Sequence, residues 1–208
     1  MEDRQDQPER RGIPDDDVGS VDTVVEMESI WKSFDDFQAL KGASLSLRKG
    51  EIHALLGENG AGKTTISNVL TGIYRPDSGT IRIDGEEHHF HSPMHALEAG
   101  LGMVHQHFRL VEPLTVAENI HLGQPGAPRR LSSRRIVEQA NSVMAEFGLE
   151  VDPSARIWQL SVGEQQRVEI LRVLSRGVRV LILDEPTAVL TPDETRTLFG
   201  VLRRLAAA

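Results

Sequence analysis

Gly57-Glu58-Asn59-Gly60-Ala61-Gly62-Lys63-Thr64 is the stretch on which the reading of the fold turns. Glycines let backbone N–H groups approach and wrap a phosphate, and Lys63 adds a point charge for the β- and γ-phosphates. The Thr64 hydroxyl is a ligand for Mg²⁺. Ahead of the loop, Ile52–Leu56 reads as a short apolar strand. Behind it, Thr64–Leu70 reads as a helix that stops at Gly72, and its N-terminus adds the positive end of a dipole. Strand, glycine-rich loop, helix is the context this pattern requires. The alternative is a glycine-rich turn that fits the pattern by coincidence.

Two more stretches answer to the first. Val180-Leu181-Ile182-Leu183-Asp184-Glu185 is an apolar strand ending in two carboxylates. Such a strand presents its C-terminal end at the ligand crevice of a parallel sheet, which places Asp184 to hold Mg²⁺ and Glu185 to polarise an attacking water. Its apolar run, Val178–Leu183, predicts a buried central strand. Leu160-Ser161-Val162-Gly163-Glu164-Gln165-Gln166-Arg167 puts a Ser-x-Gly turn at a helix N-terminus, a second ready-made anion site. Read alone, it is an ordinary capping box on an amphipathic helix.

The rest of the chain alternates strand and helix signals. Val24–Ile30 and Ala39–Leu47 read as strands, as do Thr80–Ile83 and Leu101–Val104. Ser92-Pro93 opens a short helix, and Thr115-x-x-Glu118 and Thr191-x-x-Glu194 are capping boxes. A long helix is expected from Ser133 to Phe147, closed by Gly148, after a Pro/Gly/Arg-rich loop over Gly123–Arg130. Residues 1–22, with an Asp15-Asp16-Asp17 run, read as a disordered acidic tail, and order is expected from Thr23.

With 208 residues and 39% hydrophobic content, the chain suffices for one sizeable α/β domain. A net charge of −8 argues against a nucleic-acid partner, though one nucleotide needs only a local positive site. The chain has no cysteine, which excludes a disulfide scaffold and Cys-based metal sites and fits a reducing compartment. No apolar run is long enough to span a bilayer and the N-terminus lacks a secretory pattern, so a soluble protein is expected. The cluster His88, His89, His91 and His95 reads as surface imidazoles in preference to a metal site. Arg129, Arg130, Arg134 and Arg135 read as a solvated basic face.

The glycine-rich loop, then Gln106, then LSVGEQQR, then ILDEP, in this order and spacing, resembles the ATP-binding domain of ABC transporters. The resemblance runs from about Val24 to the end. It implies a P-loop NTPase core sheet, an N-terminal antiparallel β part and a helical subdomain over about residues 106–174. Lys63, Thr64 and Thr65, with Gly57, Asn59, Gly60 and Gly62, would bind the phosphates of ATP. Thr64, Gln106 and Asp184 would hold Mg²⁺, and Glu185 would be the general base. Phe34 would stack on adenine, or be a core Phe. Two such domains would pair head to tail, with Ser161 and Gly163 reaching the γ-phosphate bound by the other.

A closer resemblance lies in Gly102-Met103-Val104-His105-Gln106-His107-Phe108, in Leu114-Thr115-Val116-Ala117-Glu118-Asn119-Ile120 and in Glu185-Pro186-Thr187-Ala188-Val189-Leu190-Thr191. These are similar to bacterial importers of simple sugars and nucleosides, whose ATPase subunit is usually two such domains in tandem. The chain resembles the first, and VHQHF leans to the nucleoside branch. Permease subunits, indirectly a solute-binding protein, and a peripheral place on the cytoplasmic face of the membrane follow from the resemblance. Val162, Glu164 and Thr191 depart from the broad family pattern, and Val162 and Thr191 are familiar in the sugar group. The family also continues to a switch histidine, and no histidine here follows Glu185. The expectation is therefore a domain truncated at its C-terminus, either a fragment of a tandem protein or a degenerate module that binds ATP without turnover. A soluble ABC ATPase without membrane partners is the other rival.

Overall fold

The computed structural model describes residues 22–122, 124, 132–188 and 190–207. The acidic tail, most of the Gly123–Arg130 loop with Arg129 and Arg130, and Val189 lie outside the described residues.

The chain opens with a long hairpin, β1 (Thr23–Phe34) and β2 (Phe37–Arg48), turning at Asp35-Asp36. It joins β3 (Ser78–Ile83) and β4 (Glu86–Glu87) in an antiparallel sheet of order β2-β1-β3-β4. Both hairpin strands run past the limits expected from sequence, because cross-strand pairing carries them to Phe34↔Phe37 at the turn. One face of β1, with Val25, Met27 and Ile30 fully buried, packs with Leu40, Ile81 and Ile83 onto α1 (Lys63–Leu70) through Ile66, Val69 and Leu70. This core fixes the helix that leaves the glycine-rich loop.

β1 bulges at Ser29, whose φ is 49°, and the Ser29 N–H turns to the Ser44 hydroxyl at 3.0 Å. Gly79 of β3 sits against that bulge. Its φ is 103°, and a Cβ there would lie 2.5 Å from the Ser29 carbonyl oxygen and 2.7 Å from that of Glu28. Gly79→Ala is therefore expected to lower stability by about 2 kcal/mol or more. Urea unfolding checks this, and a loss under about 0.5 kcal/mol would contradict the packing described.

The second layer is helical. After α2 (Pro93–Glu98), β5 (Leu101–Val104) leads to α3 (Val116–His121), α4 (Ser133–Phe147), a 3-10 turn over Ile157–Gln159 and α5 (Val162–Leu174). Then come β6 (Val180–Leu183) and α6 (Pro192–Ala207). The caps fall where the sequence puts them: Ser92, Thr115 and Ser161 each accept a backbone N–H three residues on, and Gly148 closes α4 with φ 62°. Val116, Ala117 and Ile120 of α3, Ala140 and Met144 of α4, and Val168 and Leu171 of α5 share one core with Leu198 and Val201 of α6.

β5 and β6 pair in parallel, Leu101↔Val180 through Val104↔Leu183. Two expectations fail at this sheet. Ile52–Leu56 forms no strand, and Leu56 is 91% exposed. β6 is half-buried along its length instead of central. The reason is common to both: a strand exists only against a neighbour, and among the described residues β5 is the one strand beside β6 while none pairs with residues 52–56.

Candidate functional site

The loop Gly57–Gly62 is seated on β2. Gly62, the N-cap of α1, has φ 92°, and a Cβ there would lie 2.8 Å from the Ala39 carbonyl oxygen and 2.9 Å from the Leu40 side chain. Only glycine satisfies both the left-handed conformation and that close approach. Lys63 Nζ donates to the carbonyls of Gly57 at 2.8 Å and Glu58 at 2.9 Å, so the ammonium folds back over the loop. Asn59 is exposed, and Thr65 lies half-buried in the first turn of α1.

One hydrogen bond brings Asp184 to the start of α1, and a second ties Glu185 to Gln106 beside it. Thr64 Oγ1 donates to Asp184 Oδ1 at 3.3 Å across 120 positions, and Gln106 Nε2 donates to Glu185 Oε2 at 3.0 Å across 79. The geometry follows from the parallel pair: β5 and β6 run the same way, so Gln106 and the Asp184-Glu185 dyad emerge at one end, where α1 begins. The Asp184 N–H donates to the Val104 carbonyl at 3.1 Å and locks the two exits together. Glu185 has φ 47°, in the left-handed region, a strain of about 1–3 kcal/mol of the kind that gathers at functional sites. Gln166 of α5, 4% exposed, donates Nε2 to the Pro186 carbonyl at 2.7 Å and fixes the chain just past the dyad. Burial, with the Arg109 charge, pushes the His105 imidazole below its ordinary range against an opposing pull from Asp184.

The Ser161 turn stands apart, with no hydrogen bond to Lys63, Thr64, Asp184 or Glu185 among the described residues. Ser161 Oγ accepts the Glu164 N–H at 3.3 Å, and the Glu164 carboxylate accepts the Ser161 N–H and hydroxyl, both at 2.8 Å. Those bonds hold the Glu164 carboxyl below the usual carboxylate range. Glu194 of α6 reaches the same turn: a Cβ on Gly163 would lie 2.6 Å from its Oε1. Hydrogen bonds from the Thr191 N–H and hydroxyl depress that carboxyl as well. Two carboxylates thus lie at the N-terminus of α5, while Trp158 and Val162 beside it are open to solvent.

Phe34, at the end of β1, is 38% exposed and meets Tyr74 edge-on at 5.0 Å, with Lys32 Nζ 5.4 Å over its ring. Tyr74 escaped the sequence reading because nothing in a turn sequence marks a ring's partner. Glu169 and Gln166 escaped it too, as polar residues on a helix face that folding buries. The histidine cluster disperses: His88 stacks on Phe90, His89 pairs with Glu87, and His91 meets His95 edge-on at 6.1 Å between centroids. Arg134 pairs with Glu138 along α4.

The pattern of a known family, described as ABC transporter, matches residues 40–188. Among curated proteins, the guanosine import ATP-binding protein NupO of Bacillus subtilis is 48% identical over 186 residues, covering 89% of this chain and 36% of that protein. The ribose import ATP-binding protein RbsA 1 of Burkholderia thailandensis is 49% identical over 187 residues, covering 89% and 37%. The chain thus spans little more than a third of the length of the curated relatives it matches. Among solved structures, the ATP-binding cassette MJ1267 in its ADP conformation superposes with a TM-score of 0.79 at 26% identity, covering 89% of this chain and 77% of that one. The cassette MJ0796, solved as a dimer, gives 0.73 at 26% identity, with 88% and 83% covered.

Proposed function

Because the chain belongs to the ABC transporter ATP-binding family, we propose that it is the ATP-binding part of an importer of a small polar solute and hydrolyses ATP at the glycine-rich loop. The observation that carries this reading is the convergence of Lys63 and Thr64 with Gln106, Asp184 and Glu185, drawn from three separate segments, at one solvent-open end of the parallel strands. Lys63 and the loop N–H groups of Gly57, Asn59, Gly60 and Gly62 hold the β- and γ-phosphates, with Thr65 supporting them from α1. Phe34, 38% exposed beside Tyr74, stacks on the adenine. The Thr64 hydroxyl, the Asp184 carboxylate and the Gln106 carboxamide form an all-oxygen set suited to Mg²⁺, an ion that takes few protein ligands and completes its shell with phosphate and water. Held by these three residues, Mg²⁺ would neutralise charge on the phosphates. Glu185 accepts the proton of the attacking water, and Gln106 orients that carboxylate.

The Ser161–Gly163 turn acts on the nucleotide of a second ATPase domain, paired head to tail. The solvent-open face at Trp158 and Val162 supports such a contact, and the neighbour MJ0796 forms a dimer. The residues after Gln106 face a permease. The chain works at the cytoplasmic face of the membrane as a peripheral subunit, with a solute-binding protein acting beyond it. Among the described residues no helix is long and apolar enough to cross the membrane. The relatives import guanosine, nucleosides or ribose by name, and the VHQHF stretch favours a nucleoside as the solute.

Phosphate release from MgATP, measured across a range of protein concentrations, tests the paired mechanism. The expected rate rises faster than linearly with concentration, since the working unit contains two domains. A rate proportional to concentration from a chain that stays monomeric with nucleotide bound would contradict pairing, and absent release with nucleotide bound would overturn the hydrolytic reading.

A further inference from the structure

We propose that Glu169 and Arg172 are positioning residues that fasten the loop carrying Gln106 to the helix headed by the Ser161 turn. The proposal rests on the reading of Gln106 and Ser161 given above. Glu169 is 3% exposed and sits on α5 among Val168, Ile170 and Leu171. One carboxylate oxygen, Oε1, accepts the backbone N–H of Arg109 in a short hydrogen bond. The other, Oε2, accepts Arg172 Nη2 at 2.7 Å, and Arg172 Nη1 donates to the Arg109 carbonyl at 2.6 Å. A single ion pair, one helical turn long, therefore holds both backbone groups of Arg109, three residues past Gln106.

Buried charge is costly where an apolar side chain would pack as well, so its presence here calls for what an apolar residue cannot do. That task is satisfying the backbone of a loop that has no strand or helix partner of its own. The same loop is held a second time by Asn119 of α3, 0% exposed, which accepts the Val111 N–H at 2.8 Å and donates to the Val111 carbonyl at 3.1 Å. The division of labour follows from the elements. Asn119 ties the loop to its own following helix, whereas Glu169 ties it to α5, whose N-terminus is Ser161. A displacement of α5 is thereby carried to Gln106, and through Gln106 to Glu185.

Amide hydrogen exchange on the purified chain, with nucleotide affinity and phosphate release measured on the same samples, tests this. In Glu169→Ala, exchange over residues 105–112 is expected to rise by about tenfold or more while α5 amides stay within about twofold. Glu169→Gln keeps an acceptor for the Arg109 N–H and should recover most of the protection. MgATP affinity should hold within about threefold and kcat fall by about tenfold, because Lys63 and the glycine-rich loop stay in place to bind the phosphates while Gln106, in the Mg²⁺ and water site, loses its position. Unchanged exchange over 105–112 overturns the proposal. So does raised exchange with unchanged kcat, or exchange that rises equally through α5 in both variants, which would mark Glu169 as a stabilising residue only. A parent chain that binds nucleotide without releasing phosphate overturns the hydrolytic reading instead, and the exchange result alone then decides whether Glu169 holds the loop.

Discussion

Lys63→Ala is expected to abolish MgATP binding at concentrations that saturate the parent chain. Lys63 is the one side chain of the glycine-rich loop that brings a full positive charge to the triphosphate, and its Nζ already lies over the loop, bonded to Gly57 and Glu58. Charge-assisted hydrogen bonds of this kind contribute about 1.5–3 kcal/mol each, and a lysine that reaches two phosphates makes more than one. The expected loss is at least about 100-fold in Kd, equivalent to about 2.7 kcal/mol. Folding should change little, because α1 is held by Ile66, Val69 and Leu70 in the core and not by the ammonium. Fluorescent-nucleotide titration alongside thermal unfolding separates the two effects. A Kd within about threefold of the parent would remove Lys63 from the site.

Glu185→Gln is expected to have the opposite profile, with binding retained and phosphate release reduced by about 10²–10⁴-fold, the range for loss of a general base. The substitution is a clean one here for a structural reason. Gln106 donates to a Glu185 oxygen, and a glutamine at 185 still presents a carbonyl oxygen to it. The left-handed backbone at Glu185 is equally available to either residue, so geometry is kept while the basic carboxylate is lost. Single-turnover phosphate release with saturating MgATP is the measurement, and an unchanged rate would mean that the base lies elsewhere.

How much of this was legible in the sequence follows from the range of the forces involved. The limits of α4, the caps at Ser92, Thr115 and Ser161, and the glycine at 148 are settled by hydrogen bonds within a few residues, and a local pattern states them. The convergence of Thr64 with Asp184 was readable because each ends or begins a recognisable strand or helix. What failed was non-local. Ile52–Leu56 has strand composition and no partner, and the β6 run is apolar enough for a central strand while only β5 lies beside it among the described residues. The bulge at Ser29 needs the Gly79 approach to be seen. Glu169 looks like one more solvated carboxylate on a helix until the Arg109 backbone is found against it. Composition assigns charged residues to the surface, and the exceptions are visible only when the chain has folded.

The polar side chains of the site are bonded within the protein. Lys63 is bonded to two carbonyls, Thr64 to Asp184 and Gln106 to Glu185. A nucleotide that enters therefore exchanges partners more than it adds them. The heat expected on binding is then the difference between bonds made and bonds broken. Each internal bond also sets a threshold that a weak anion does not cross, while a triphosphate, with several oxygens acting at once, replaces the whole set. A site bonded to itself in this way would favour a ligand that engages several of its groups together over one that engages a single group.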